Sequence, residues 1–233
     1  MPILECNKLT KTYGGVTALD HIDLAIDPGR IVGLLGPNGS GKTTLIKLAA
    51  GLLQPTEGQI LIDGKAPSPQ TNAVLSYLPE RIALSQWMKV TQVLDFFCDF
   101  YKDFDRQAAE QMLAQLHIAP NQVLKQMSKG TKEKVQLILV MSRKAKLYLL
   151  DEPENSLSSE KQIELQRFLV DSARFYGCQF IIATHSPFLL AMKGAKIYDL
   201  DEDPADVKKW TELGNVRAYY EFFREHRSEF EEW

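Results

Sequence analysis

Cysteine is scarce in this 233-residue chain: Cys6, Cys98 and Cys178 are the only three, and they lie far apart. An odd number at such spacings builds neither a disulfide framework nor a thiolate metal site, so they read as reduced, packed thiols. Long apolar runs are missing too. None approaches the roughly 20 residues that cross a bilayer, and Met1-Pro2-Ile3-Leu4-Glu5 has no signal-peptide character. A net charge of −3 leaves no basic footprint, so no direct nucleic-acid partner is expected. Heptad repeats that would build a coiled-coil arm are absent. Composition, at 45% apolar and 24% charged residues, is that of a globular chain able to bury a sizeable core. Together these features predict a cytoplasmic protein.

What is present is organised around Gly36-Pro37-Asn38-Gly39-Ser40-Gly41-Lys42-Thr43, which fits G-x-x-x-x-G-K-[ST]. Gly36, Gly39 and Gly41 lack Cβ, so the loop can take positive φ and turn its N–H groups inward around phosphate oxygens. Lys42 adds a cation for the β- and γ-phosphates, and the Thr43 hydroxyl is an oxygen ligand for Mg²⁺. Ile31 to Leu35 suits a buried parallel strand before the loop, and Thr44 to Ala50 reads as a helix whose N-terminal dipole faces the anion. The stretch therefore predicts binding of a nucleoside triphosphate, with Mg²⁺.

Upstream, Ile3 to Leu9 and Ala18 to Ile26 read as strands, with Tyr13 in a loop between them. Tyr13 either stacks on a purine base or packs in a small sheet. Gly58 to Gly64 and Val74 to Leu78 read as further strands. From about Arg81 the pattern turns helical. Val93, Leu94, Phe97, Phe100 and Tyr101 share one helical face, and Asp105 caps a second helix striped with Ala108, Ala109, Met112, Leu113 and Leu116. Ser128 caps a third, where Gly130 allows close backbone approach and free N–H groups offer a second anion site.

Leu147 to Asp151 is an apolar strand ending in two adjacent carboxylates. Neighbouring strand residues point to opposite sides, which predicts separate duties: Asp151 to hold Mg²⁺ and Glu152 to orient the attacking water. Phe180 to His185 is a third buried strand, and His185 at its carboxyl edge can reach a γ-phosphate. His21, His117 and His226 read as structural. The stretch from Asp201 onward is acidic and aromatic, a short packed helix or a partner surface.

Taken in this order, the motifs resemble the ATP-binding cassette (ABC) ATPase family over roughly residues 3 to 200. The resemblance implies a P-loop NTPase α/β fold with a RecA-like core, an N-terminal antiparallel β subdomain and an inserted α-helical subdomain. It places the core at 1–80 and 145–200, the helical part at 81–144, and a tail at 201–233. It assigns Gly36 to Thr43, with Thr44, to the Walker A site, and Tyr13 to stacking on adenine. Glu80 falls at the glutamine loop and adds a metal ligand to Thr43 and Asp151. Ser128 and Gly130 fall in the signature motif. Lys42, Glu152 and His185 are the implied catalytic set. Head-to-tail pairing with a like cassette, as homodimer or heterodimer, would place each signature on the partner's ATP. Three departures stand out: the signature reads Met127-Ser128-Lys129-Gly130-Thr131, Glu80 replaces an amide, and Ser158 stands at the D-loop aspartate.

Phe97 to Asp105 and the Ser-Lys-Gly signature resemble the ATPase subunits of bacitracin-type and ABC-2 exporters. That implies a separate transmembrane permease, received near Glu80 to Met88 and Trp87, with the chain peripheral on the cytoplasmic face of the membrane. The alternative is a soluble ATPase acting on DNA, a ribosome or a protein, since Asp151-Glu152-Pro153-Glu154-Asn155 and Ala183-Thr184-His185-Ser186-Pro187 resemble the RecF- and SMC-like branch.

Overall fold

A computed structural model describes all residues except 30, 38, 81–83, 201–205, 232 and 233. The chain begins with β1 (Leu4–Tyr13), β2 (Val16–Ile26), β3 (Ile31–Leu35), α1 (Lys42–Ala49), β4 (Glu57–Ile62), α2 (Pro69–Asn72) and β5 (Leu75–Leu78). Helices α3 (Val90–Phe100), α4 (Arg106–Gln115) and α5 (Lys129–Met141) follow. The second half holds β6 (Leu147–Asp151), α6 (Ser159–Tyr176), β7 (Gln179–Ala183), α7 (Pro187–Leu190), β8 (Lys196–Asp199), β9 (Asp206–Lys208), α8 (Gly214–Glu225) and α9 (Arg227–Glu231).

The strands form two sheets. An antiparallel one runs β2-β1-β4; the other runs β5-β6-β7-β3-β8-β9 and is parallel except for β9. Every residue of β3, β6 and β7 is buried, as strands covered on both faces require. One apolar core joins the antiparallel sheet and α1 to one face, through Leu9, Ile26, Leu34, Leu45, Leu48 and Leu149. The other face is covered by α6 and α7 through Leu165, Leu169, Phe180, Ile182 and Leu189. The fold is the α/β P-loop type with an antiparallel β layer. No helix among the described residues is long and apolar enough to cross a membrane.

Several sequence expectations shift. Tyr13 is not in a loop: it is the last residue of β1 and pairs with Val16. Gly14 and Gly15, at φ 52° and 92°, form a two-residue turn whose twist matches the strands, so pairing continues to the turn itself. The strand expected to reach His185 ends at Ala183, leaving Thr184 and His185 beyond it. On α3, Val93 and Leu94 are buried and Phe97 half-buried, but Phe100 is 68% exposed and lies tilted against exposed Phe96, with ring centroids 4.4 Å apart. The helix ends there, so its last turn overhangs the core. Tyr101 lies past the helix, under the Arg143 guanidinium at 4.0 Å. Leu116 is likewise 40% exposed.

Helices α3, α4 and α5 share a separate core that includes Val90, Leu94, Ala109, Leu113, Val135 and Leu139. Asp105 caps α4 by accepting from the Ala108 N–H at 3.0 Å, as the sequence predicts. Arg143 then ties this layer to the sheet: its side chain is 5% exposed, pairs with Asp103, and donates to the carbonyls of Leu75 (2.6 Å) and Asn72 (3.2 Å). At the far end α8 docks through Leu213 and Val216 on Leu35, Leu190 and Ile197. The tail aromatics pack on one another rather than on a core: Phe222 and Phe223 lie 5.5 Å apart and Phe223 and Phe230 6.0 Å apart, yet Tyr219, Tyr220, Phe222, Phe223 and Phe230 are each more than half exposed.

Candidate nucleotide site

Four strand ends converge. β3 runs into Gly36, β5 into Pro79 and Glu80, β6 into Glu152, and β7 into Thr184 and His185. Ligands of parallel sheets collect at this carboxyl edge. Gly36, Gly39 and Gly41 have φ of 146°, 96° and 90°, the region that disfavours side chains. A Cβ on Gly36 would lie 2.2 Å from Ser40 Oγ, and one on Gly41 would lie 2.4 Å from the Ala18 carbonyl oxygen. The loop thus needs glycine for space as well as for conformation. Asn38 lies outside the described residues. Lys42 begins α1 and is buried, with Nζ donating to the carbonyls of Gly36 (2.5 Å) and Pro37 (2.9 Å), which holds the cation inside the loop. Thr44 follows in the first turn of α1, half-buried.

The Thr43 hydroxyl donates to Asp151 Oδ1 at 3.0 Å. Oδ2 of Asp151 is buried with no partner. Burial pushes this carboxyl up to about 6; the Thr43 bond opposes the shift, and the charges of Glu152 and Glu80 add to it. Glu80 is exposed, on the wall of a cleft of about 630 Å³ shared with Lys47, Tyr77, Gln136 and Asp151. Burial, helped by Asp151 and Glu80, holds the Tyr77 phenol protonated well above its usual range.

Glu152 takes φ 51°, rare for a side-chain-bearing residue. Its N–H donates to Ala183 O at 2.9 Å, and its Oε2 accepts from Asn155 Nδ2 at 2.9 Å. Oε1 faces His185 Nε2 at 3.9 Å, a nitrogen buried without a hydrogen-bond partner. Burial and then the Lys42 charge lower the His185 pKa, with Glu152 opposing, so the imidazole is neutral near neutral pH.

The remaining predicted residues lie elsewhere. Ser128 caps α5, accepting from the Thr131 N–H at 3.2 Å, and Gly130 approaches the Ser156 carbonyl, where a Cβ would meet it at 3.4 Å. Among the described residues neither bonds to Gly36–Thr43 of its own chain. Tyr13 sits at the hairpin tip, 44% exposed, with Lys11 Nζ 5.2 Å from its ring centroid.

Sequence reasoning gave Glu154 no role, yet it is buried beside His185, accepting from the backbone N–H groups of His185 (3.0 Å) and Ser186 (3.2 Å) and from the Thr184 hydroxyl. In sequence it stands within the Asp151-Glu152-Pro153-Glu154-Asn155 stretch as a third acid three residues after Asp151, with nothing there to mark it as buried.

The family model described as ABC transporter matches residues 19–155, more than half of the chain. The chain belongs to the ABC transporter family. Among its relatives, the SkfA peptide export ATP-binding protein SkfE of Bacillus subtilis is 31% identical over 192 residues, which cover 80% of this chain and 80% of SkfE. The putrescine transport ATP-binding protein PotG of Escherichia coli is 34% identical over 227 residues, covering 94% of this chain but 59% of PotG. This member thus spans less than two thirds of PotG's length. Its fold matches that of a dimeric ATP-binding cassette in a post-hydrolysis state bound to ADP and Pi, with a TM-score of 0.76 at 21% identity over 89% of this chain and 98% of that one.

Proposed function

We propose that the chain is the ATP-binding and ATP-hydrolysing subunit of an ABC exporter, pairing with a second cassette, itself or a relative, and driving a separately encoded permease from the cytoplasmic face of the membrane. The observation that carries this reading is the meeting of Thr43, Asp151, Glu152 and His185 at one sheet edge beside the phosphate loop. SkfE is an export protein by name, other relatives at 30–31% identity are import proteins by name, and the export direction rests on the Phe97–Asp105 and Ser-Lys-Gly resemblance.

In this reading the N–H groups of the Gly36–Thr43 loop and Lys42 hold the β- and γ-phosphates, with Thr44 completing the first turn beneath them. Asp151 and Thr43 fit Mg²⁺. Both offer hard oxygen, and the unpartnered Oδ2 of Asp151 is the atom a metal would satisfy; Glu80 adds a third oxygen at the cleft wall. Bound Mg²⁺ supplies charge neutralisation at the phosphates. Glu152, steadied by Asn155, takes the proton of the attacking water as the water oxygen bonds to the γ-phosphorus and the bond to the leaving ADP breaks, and neutral His185 holds the γ-phosphate by hydrogen bond. Tyr13, exposed at its hairpin tip, stacks on the adenine. Ser128 and Gly130 serve the partner's nucleotide; among the described residues neither bonds to the phosphate loop of its own chain. Residues 1–80 and 145–200 form the nucleotide core, and 81–144 form the helical unit that faces the permease, with exposed Trp87 and Phe100 on its surface.

Purification of the tagged protein from its own cells in mild detergent, followed by mass spectrometry, tests the proposal. A polytopic membrane protein in one-to-one amount supports it. A soluble complex with DNA, ribosomes or a cytosolic protein, and no membrane partner, transfers the same ATPase chemistry to the soluble class.

A further inference from the structure

Pro153 separates two acids with different environments. Glu152 points at the His185 ring, and Glu154 points at the backbone behind it. Glu154 is 9% exposed, and among the described residues no lysine or arginine bonds its carboxylate; its partners there are donors of the loop 184–186. A buried carboxylate without a cation is costly; hydrogen bonds to Oε1 offset part of the cost, while Oε2 is buried without a partner among the described residues and burial raises the pKa of the group. All three converge on Oε1: the Thr184 hydroxyl, the His185 N–H and the Ser186 N–H. The same loop is gripped from other sides as well. Ser186 Oγ donates to Gln162 Oε1 at 2.7 Å, Thr184 N–H donates to Leu34 O at 3.3 Å, and Asn215 Nδ2 of α8 donates to His185 O at 3.3 Å.

We propose that Glu154 is a positioning residue for ATP hydrolysis: it locks the His185 loop to the Glu152 segment and thereby sets the 3.9 Å spacing between Glu152 Oε1 and His185 Nε2. The inference rests on the role given to His185 above. Glu152 and Glu154 are two residues apart on a stretch stiffened by Pro153, so a hydrogen-bonded grip at 154 fixes the histidine relative to the acid at 152. The strained φ of 51° at Glu152 needs such surroundings to persist. Among the described residues, Oε1 of Glu154 is the acceptor for the His185 N–H, so without it a part-buried donor is left unsatisfied and the loop relaxes.

The test is a double-mutant cycle on the full chain, read as kcat and KM for ATP alongside thermal melting. Glu154→Leu lowers kcat about 10²-fold, the scale of a displacement near 1 Å at a reacting centre. KM for ATP moves by less than about threefold, because the phosphate loop is untouched. In a His185→Ala background the same change lowers kcat no further, since the group it positions is gone. Glu154→Gln keeps an acceptor for the three donors and restores the rate to within about fivefold of the native protein. Should Glu154→Leu melt below the assay temperature, Glu154→Asp replaces it in the cycle, drawing the acceptor back while keeping the charge. Equal losses with and without His185 make Glu154 merely structural and overturn the proposal, as does native kcat in Glu154→Leu. A His185→Ala protein that hydrolyses ATP at the native rate removes the role of His185 itself, a different failure that takes the proposal with it.

Discussion

Thr43 and Asp151, 108 residues apart in sequence, are joined by a 3.0 Å hydrogen bond from hydroxyl to carboxylate. The bond ties the start of α1 to the end of β6 and stabilises the ionised acid, but burial still dominates and pushes Asp151 up from 3.8 to about 6. The folded chain therefore keeps a proton that the unfolded chain has lost. This group's contribution to stability is full below pH 3.8 and is lost as pH climbs through about 6. Metal-free protein should lose on the order of 2 kcal/mol from this source by about pH 7. Mg²⁺ requires the carboxylate, so its affinity should rise over the same window. Melting curves with and without Mg²⁺ across that range check both trends. Asp151→Asn should flatten the metal-free profile and abolish the Mg²⁺ response; an Mg²⁺ response that survives places the metal elsewhere.

Glu152 Oε1 and His185 Nε2 face each other at 3.9 Å, too far for a hydrogen bond and too close for an atom to sit between them, so acid and imidazole present their polar atoms side by side to one point of the site. Glu152→Gln keeps the shape and the Asn155 contact but loses the base. ATP turnover should fall about 10²- to 10⁴-fold while ATP still binds, and light scattering should show an ATP-dependent dimer. Native turnover in this variant would mean the base is another residue.

Ser128 has two separable jobs. Its Oγ caps α5 through the Thr131 N–H, and in the proposed dimer it reaches the partner's nucleotide. Ser128→Ala should lose about 1 kcal/mol of stability and also slow ATP hydrolysis. Ser128→Asn keeps a capping oxygen, so it should recover the stability without recovering the rate. Nucleotide affinity of the isolated monomer should be unchanged in both; a parallel loss there argues against action across the dimer.

The glycines of the phosphate loop are not equivalent. Gly39 and Gly41 share φ near 90°, yet a Cβ on Gly39 meets nothing within 4 Å, whereas one on Gly41 meets Ala18 O and the Leu19 side chain at 2.4 and 2.5 Å. Gly39→Ala should cost about 1–2 kcal/mol, the strain of a left-handed residue. Gly41→Ala adds a clash with the backbone of β2 and should lower the denaturation midpoint further and lose nucleotide binding. Urea titration and nucleotide binding measured on both variants decide it; equal effects would mean that the loop yields.

These residues show what was legible in the chain. Glycines at positive φ, a lysine and a threonine at fixed offsets, and acids closing an apolar strand are demands made locally, so Gly36 to Thr43, Asp151 and Glu152 carry their signal within a few positions. Capping by Asp105 and Ser128 is local too, and both caps could be read directly. Tyr13 was misplaced because Gly14-Gly15 reads equally as a loop or as a tight turn, and only pairing with Val16 decides. Phe100 looked like core because helical periodicity does not say where the helix stops. Glu154 was silent for another reason: its meaning lies in Thr184, 30 residues on, and an acid in a turn looks solvated until the partner loop closes over it.

Arg143 is the extreme of that last kind, since every contact that buries it is made by tertiary structure. It holds Asp103 side-on through the Nε–Nη2 edge at 3.0–3.2 Å, donates to the carbonyls of Leu75 through Nη1 and Asn72 through Nη2, and covers Tyr101. Its own carbonyl accepts from the Tyr148 hydroxyl of β6. The helical layer and the parallel sheet therefore meet on one guanidinium. Arg143→Met removes the cation but leaves two carbonyls and a partly buried carboxylate, and should destabilise the chain by about 3 kcal/mol in urea titration. Arg143→Lys should recover little, because an ammonium cannot fork onto Asp103 while also donating to Leu75 and Asn72. Replacing Asp103 with Asn in the Arg143→Met protein should regain part of the loss, since the stranded charge is gone. If Arg143→Lys is as stable as the native chain, simple charge at this junction is sufficient and the forked geometry contributes nothing.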